Sequence, residues 1–324
     1  MDITHVTTLP DLEDYQALKA YAFDHDYVGL PADPIEELLP NLTKPHSAGE
    51  HTEMYVGRVG GETVGILHFH YPTLDNLEIT GVEVVVHPDR RRQGHGRVLT
   101  EFAIARTREL GRSRIFAEAA FWPDRPPLAQ GLFDRYGFSI KLEDVRRMLD
   151  LHVHPPQPRC PVPDGYRIVQ WLDRCPDELV DGCAYLMGRM TIDSPMGEMD
   201  YEQEKWDAAR YRDKEESAMS RNRLRVASAA VHESGQVAGI SDIGVNRKVP
   251  EIAYQWDTIV DPDHRGHGLG LVLKTWNHAL LAESVDGIHY LNTWNAASNS
   301  FMIRVNELMG YEPIESWGEF QLDL

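Results

Sequence analysis

The chain has 324 residues, enough for two ordinary domains with separate cores, and its 42% hydrophobic and 26% charged residues exclude a fibrous or disordered protein. A formal net charge of -19 excludes a phosphate-neutralising surface, so the expected partner is a small-molecule amine, cationic in character, and no nucleic acid. The three cysteines, Cys160, Cys175 and Cys183, have neither zinc nor disulfide spacing, the N-terminus lacks the basic and apolar run of a leader, and no apolar stretch has the ~20 residues of a membrane span; the expectation is a cytoplasmic chain with no metal and no membrane partner.

In chain order, apolar periodicity predicts helices over residues 10–23 and 34–43, then strands HTEMYVGRV, ETVGILHFHY and LEITGVEVVVH. An amphipathic helix, GRVLTEFAIARTREL, follows, then strand SRIFAEA, a short helix near Leu128 to Tyr136 and a pair of strands ending at Leu151. Residues 152–164, HVHPPQPRCPVPD, contain five prolines, which remove backbone donors and bar helix and central strand; they are expected to link a domain at 1–151 to one at 165–324. The second half repeats the order: strand YRIVQW, a helix from Asp177, a charged helix from Tyr201, and strands RLRVASAAVHE, QVAGISDIGV and IAYQWDTIV. Helix GLGLVLKTWNHALLAES, strand IHYLNTW, helix SNSFMIRVNEL and strands YEPIE and WGEFQLDL complete two mixed α/β sheets.

One pattern occurs twice, 174 residues apart: Val, any, Pro, Asp, any, Arg, any, any, Gly, any, Gly, beginning at Val86 and at Val260. Each copy ends a strand and opens a helix, so several backbone N–H groups converge at a helix N-terminus, an anion site by geometry and dipole. A dinucleotide-binding turn fits poorly, because its glycines follow the first strand of a parallel unit directly, whereas here Pro-x-x-Arg intervenes.

VVVHPDRRRQGHGRVL and TIVDPDHRGHGLGLVL resemble the acetyl-CoA-binding motif of the GNAT acetyltransferases, and the resemblance covers nearly the whole chain. It implies two tandem GNAT-like acyl-CoA N-acyltransferase domains, each a mixed, mostly antiparallel sheet flanked by helices, with acetyl-CoA as acyl donor. It also implies that Val86 and Val260 end the strand along the pantetheine, with Arg91, Arg92, Gln93, Gly94 and Gly96, and Arg265, Gly266, His267, Gly268 and Gly270, at the pyrophosphate. The family's tyrosine general acid corresponds to Phe133 and Asn306, so neither half keeps it. The family's cofactor-contacting asparagine corresponds to Asn299 in the second half and Pro126 in the first, which favours the second half as catalytic; Asn292, Thr293 and Asn295 are candidates for the same groove.

Acyl transfer to an amine requires an ammonium of pKa ~10 to lose its proton. Glu83 and Asp257, each eight residues before the motif arginine, are the candidate bases, the alternative being solvent-facing strand residues; His87 is a further one. In residues 191–216, nine acids face four bases, and Asp193, Glu198 and Asp200 are candidates to bind a cationic amine, against the reading of a solvated helix face. By halves, residues 1–160 carry a net -7 and 161–324 a net -12, so the second half is expected to attract a cation more strongly. The pairs His68/His70 and His152/His154 lack a third metal ligand. The leading expectation is an N-acetyltransferase acting on a primary amine by direct transfer; the alternative is a non-catalytic acyl-CoA-binding sensor.

Overall fold

The computed structural model describes residues 1–122 and 127–324. In chain order it comprises β1 (Asp2–His5), α1 (Leu9–Asp26), α2 (Ile35–Leu38), β2 (His46–Ser47), β3 (Glu50–Val59), β4 (Glu62–Pro72), β5 (Ile79–Val86), α3 (His95–Glu109), β6 (Arg114–Phe121), α4 (Gln130–Tyr136) and β7 (Ser139–Asp150). There follow β8 (Tyr166–Leu172), α5 (Val180–Asp193), α6 (Ala208–Ser220), β9 (Arg223–His232), β10 (Val237–Asn246), β11 (Val249–Val260), α7 (Leu269–Ser284), β12 (Tyr290–Ala296), α8 (Ser300–Leu308) and β13 (Glu312–Asp323). The charged helix expected from Tyr201 starts only at Ala208, because Asp207 accepts the Arg210 N–H at 2.8 Å and so caps it there.

Each half was expected to end in two strands, and each ends in one long strand instead, β7 and β13. Neither stretch contains the Asn-Gly or Gly-Gly turn a tight hairpin requires. These strands also divide the chain. Unit 1 comprises Met1–Glu143, Gly197–Tyr201 and Glu315–Leu324; unit 2 comprises Asp144–Met196 and Glu202–Ile314. The sheet of unit 1 runs β1, β3, β4, β5, β6 and then the C-terminal part of β13, while that of unit 2 runs from the C-terminal part of β7 through β12, β11, β10 and β9 to β8. The proline-rich residues 152–164 fall inside unit 2.

The pairing explains the exchange. Ser316 to Asp323 run antiparallel to Phe121 to Arg114, which buries Phe320 and Leu322 with Leu99, Ile115 and Phe133; Phe320 stacks on Phe133 at 4.0 Å. Asp144 to Asp150 run antiparallel to Ala296 to Tyr290, placing Leu149 among Leu291, Val226 and Ile243. In β13, Phe320 and Leu322 alternate with Glu319, Gln321 and Asp323 and present one apolar face to a core, whereas Asp144 to Asp150 of β7 do not alternate and bury Arg146 and Arg147 as well as Leu149. In unit 1, Leu12, Tyr15 and Leu18 of α1 cover the opposite sheet face with Val56, Ile66 and Val85.

Candidate functional site

The same opening recurs in both units. β5 pairs in parallel with β6 only from Ile79 to Val82, and β11 with β12 only from Ile252 to Tyr254. Beyond those points the strands part, while Val86 stays paired with Gly65 and Val260 with Gly239 on the outer side. The inward backbone groups of the two strand ends therefore face a cleft. At the end of each cleft lies the glycine turn. Gly94 has φ 89° and Gly268 φ 74°, left-handed values that admit glycine, and a Cβ on either would meet nothing within 4 Å. Val98 N–H is bonded to the Gly94 carbonyl and Val272 N–H to that of Gly268, so the amides just before them have no carbonyl one helical turn back. A splayed strand leading to a glycine turn at a helix start fits a ligand with an extended arm joined to a pyrophosphate, as the acyl-pantetheine arm of acetyl-CoA is.

The turn arginines lie elsewhere than a phosphate clamp requires. Arg91 donates from both terminal nitrogens to Asp26 at 2.9 and 2.5 Å and from Nε to the Val86 carbonyl at 3.2 Å. Arg265 donates from Nε to the Val260 carbonyl at 3.1 Å and pairs with Asp193 at 3.2 Å. Each guanidinium thus braces the turn against the last strand carbonyl and a carboxylate at a helix end. Arg92 (φ 63°), Gln93 and Gly94 in unit 1, and Arg265, Gly266, His267 and Gly268 in unit 2, are exposed. A Cβ on Gly96 would meet Leu132 at 3.2 Å, so this glycine lets α4 pack close, whereas one on Gly270 would meet Phe301 only at 3.8 Å, an ordinary contact. Asn299 caps α8, its Oδ1 accepting the Met302 N–H at 3.2 Å; its counterpart Pro126 lies outside the described residues.

The two candidate bases share one environment. Glu83, the first β5 residue beyond the pairing with β6, accepts from the buried Lys19 ammonium at 2.9 Å, with Asp33 at 3.6 Å from the same nitrogen. Asp257 accepts from Lys214 at 3.0 Å; burial pushes its carboxyl up, but the Lys214 ammonium more than offsets this and holds it below the usual range. Asp193 is held by Arg189 at 2.7 and 2.8 Å as well as by Arg265, so two guanidinium groups already neutralise it. Glu198 and Asp200 belong to unit 1, where they pair with Lys141 at 3.8 Å and Arg114 at 2.7 Å. The three acids therefore do not converge on one amine-binding group. His87 caps the turn through Nδ1 and stacks on Tyr21 at 4.8 Å. Asn292 accepts from Arg146 at 2.7 Å, Thr293 donates to the Gln255 carbonyl at 3.2 Å, and Asn295 accepts from Asn306 at 2.5 Å. Among the described residues no three acids, histidines or cysteines are grouped to hold a metal.

The strand exchange delivers residues that linear order hides. In unit 1, Glu319 lies opposite Glu118 and Trp317 opposite Ala120, on the α1 face, because Phe320, Leu322, Ile115 and Ala117 take the α3 face. In unit 2, Arg146 lies opposite Trp294 and Asp144 opposite Ala296. Charge follows the strands: counted by folded unit, unit 1 carries 27 acids and 14 bases and unit 2 carries 24 and 18, net -13 and -6. The expectation of a more cation-attracting second half is thereby reversed, since Glu315, Glu319 and Asp323 fold into unit 1 and Arg146 and Arg147 into unit 2. Asp144 stands out in unit 2: burial pushes its carboxyl up to about 6, and its Oδ1 has no hydrogen-bond partner.

Unit 2 also holds a buried lysine without a carboxylate partner among the described residues. Lys274 on α7 donates to Asn306 Oδ1 at 2.5 Å, and burial pushes it down to about 7; His278, one turn on, meets the Tyr311 hydroxyl at 3.2 Å and is pushed down to about 3 by burial and by Lys274. The unfolded chain keeps Lys274 protonated up to about 10.4, so between those two values it binds more protons than the folded chain, and stability rises with pH across that window. Below about pH 7 the cost of the buried charge is fully present. Lys274→Met is expected to remove a slope approaching about 1 kcal/mol per pH unit, measured by urea unfolding at pH 7, 8 and 9; equal slopes in both proteins would disprove the assignment.

A family model described as an acetyltransferase (GNAT) domain matches residues 50–140, which lie in unit 1. Mycothiol acetyltransferase of Salinispora arenicola (strain CNS-205) is 28% identical over 308 residues, covering 93% of this chain and 90% of that protein. The mycothiol acetyltransferase of Salinispora tropica is 27% identical over 319 residues, covering 97% and 94%. A solved tandem GNAT protein from the clavulanic acid biosynthesis pathway superposes with a TM-score of 0.85 at 25% identity, covering 99% of this chain and 98% of that one. With two splayed sheets, two glycine turns at helix starts and end-to-end likeness to a tandem GNAT structure, the chain carries a GNAT acetyltransferase domain over residues 50–140 and is similar over its whole length to a tandem GNAT protein.

Proposed function

We propose that this acetyl-CoA-dependent N-acetyltransferase passes the acetyl group directly to a primary amine of a cationic small molecule, in a ternary complex, and that unit 1 performs the transfer. The observation that carries the reading is the opening between β5 and β6, which places Glu83 at the mouth of the cleft that leads to the amides before α3. Acetyl-CoA, when bound, supplies the acetyl group as a thioester. Glu83 accepts the ammonium proton directly or through water, the amine nitrogen bonds to the acetyl carbon, and the carbon–sulfur bond breaks with its electron pair on sulfur. Lys19 holds the Glu83 carboxylate in place. A thiol of pKa ~8.5 leaves with little help, so the absence of a tyrosine at Phe133 does not stop the reaction. Two relatives are named mycothiol acetyltransferases, which supports a small-molecule acceptor class.

The reason for favouring unit 2 weakens in the fold, where Asn299 is used as a helix cap. A second reading places catalysis in unit 2 with Asp144 as base, on the strength of its raised carboxyl. Thiol release from acetyl-CoA, followed across a panel of primary amines, tests the function. Release above background with at least one amine is expected; background rates throughout, with retained cofactor binding, would leave only the sensor reading.

A further inference from the structure

Residues 197–201 come from the second half of the chain but fold into unit 1. Contacts with β7 and β6 pin them there. Gly197 has φ 57°, and a Cβ on it would lie 2.2 Å from the Lys141 carbonyl, so only glycine lets the segment pass β7 this closely. The Glu198 N–H donates to the same carbonyl at 2.9 Å. Arg114, at the start of β6, donates to the Asp200 carbonyl at 3.1 Å and to its carboxylate at 2.7 Å. These ties fix the next residue, Tyr201, whose ring lies 5.0 Å from that of Phe116 and at 56° to it, over a Phe116 that is only 6% exposed.

Phe116 lies on the sheet face that carries Glu83. Ile115 and Ala117 take the α3 face, so Phe116 points the other way, and its partner in register is Gly81, two residues before Glu83 on β5. The imidazole of His70, opposite Gly81 on β4, occupies the place of the missing side chain: a Cβ on Gly81 would meet that ring at 2.1 Å. His70, Phe116 and Tyr201 thus make one row of rings across β4, β5 and β6, set back from Glu83 by about 7 Å at ~3.3 Å per residue. The row lies on the side of Glu83 away from the glycine turn, where β5 and β6 are still paired and the sheet beneath is closed.

Resting on the acyl-transfer reading in unit 1, we infer that Tyr201 determines which acceptors are admitted: held over Phe116 beside His70, it is the wall against which the group attached to the reacting amine packs. After van der Waals contact on both sides, about 7 Å leaves room for about three heavy atoms between the nitrogen and the rings. The acceptor class is therefore a primary amine whose substituent on this side is compact and apolar, and a fused ring system collides with Tyr201. The role is steric. It depends on where the ring is held and not on any unfilled bonding capacity.

The test uses the full chain and three primary amines of growing bulk, n-propylamine, benzylamine and 1-naphthylmethylamine. KM and kcat are read from thiol release, and coenzyme A affinity from calorimetry. The parent is expected to favour the smallest amine, and Tyr201→Ala to raise kcat/KM for 1-naphthylmethylamine about 10-fold through a lower KM, with coenzyme A affinity kept. Tyr201→Trp is expected to act in the opposite sense, lowering kcat/KM for benzylamine about 10-fold. Should the alanine variant fold poorly, Tyr201→Leu takes its place; a gain on the bulkiest amine is a readout that mere damage to the fold does not give. An unchanged ranking of the three amines in these variants, or equal losses on all three, overturns the inference, while transfer to n-propylamine still upholds the acetyltransferase. Thiol release at background with every amine in every protein sinks the acetyltransferase reading and this inference with it.

Discussion

Gly94→Val is expected to remove cofactor binding from unit 1 and turnover with it. At φ 89° a β-branched residue costs on the order of 1–3 kcal/mol of backbone strain, and its side chain fills the open space in front of the amides that precede α3. Together these should weaken affinity about 100-fold or more, equivalent to about 2.7 kcal/mol. Titration calorimetry with coenzyme A on the parent chain should show two sites, one per turn, and the variant one. Gly268→Val, at φ 74°, should delete the other site and leave thiol release within about three-fold, because less than 1 kcal/mol of barrier would then be involved. Turnover lost in Gly268→Val and kept in Gly94→Val would move the chemistry to unit 2 and to Asp144.

Glu83→Gln should lower kcat by about 10²- to 10³-fold, the range of a positioned general base, with cofactor affinity preserved. Glutamine keeps the size of the side chain and cannot take the proton. It also leaves the buried Lys19 with only Asp33, at 3.6 Å, as its anionic partner, and an uncompensated buried ammonium is destabilising. The double variant Lys19→Met/Glu83→Gln separates the two effects: it should recover thermal stability and remain inactive. Asp144→Asn is the companion measurement, expected to leave turnover within about three-fold. A large loss there, with Glu83→Gln near the parent rate, would exchange the roles of the units.

Much of the fold was legible because it is local. The glycine turns follow from positive φ and unpaired helix-start amides, and β3, β4, β5, β9 and β10 lie within a residue or two of where period-2 patterning put them. The candidate site was legible only in part. Residue type and spacing singled out Glu83 and Asp257, but not that each meets a lysine from a different helix, Lys19 on α1 and Lys214 on α6. Arg91 and Arg265 had the right type for a phosphate contact, yet Asp26 and Asp193, far away in sequence, hold them as braces. Glu319 carried no signal, since nothing within the second half marks it as facing Glu118.

By itself, then, the amino-acid sequence determined the tandem repeat and the two glycine turns, since both rest on contacts between neighbours along the chain. The tertiary structure alone decided which unit owns the last strand of each half. Nothing local in β7 or β13 names a sheet, and only long-range pairing with β12 and β6 selects the partner. That selection moves three carboxylates into unit 1 and two arginines into unit 2, and with them the charge balance of each unit.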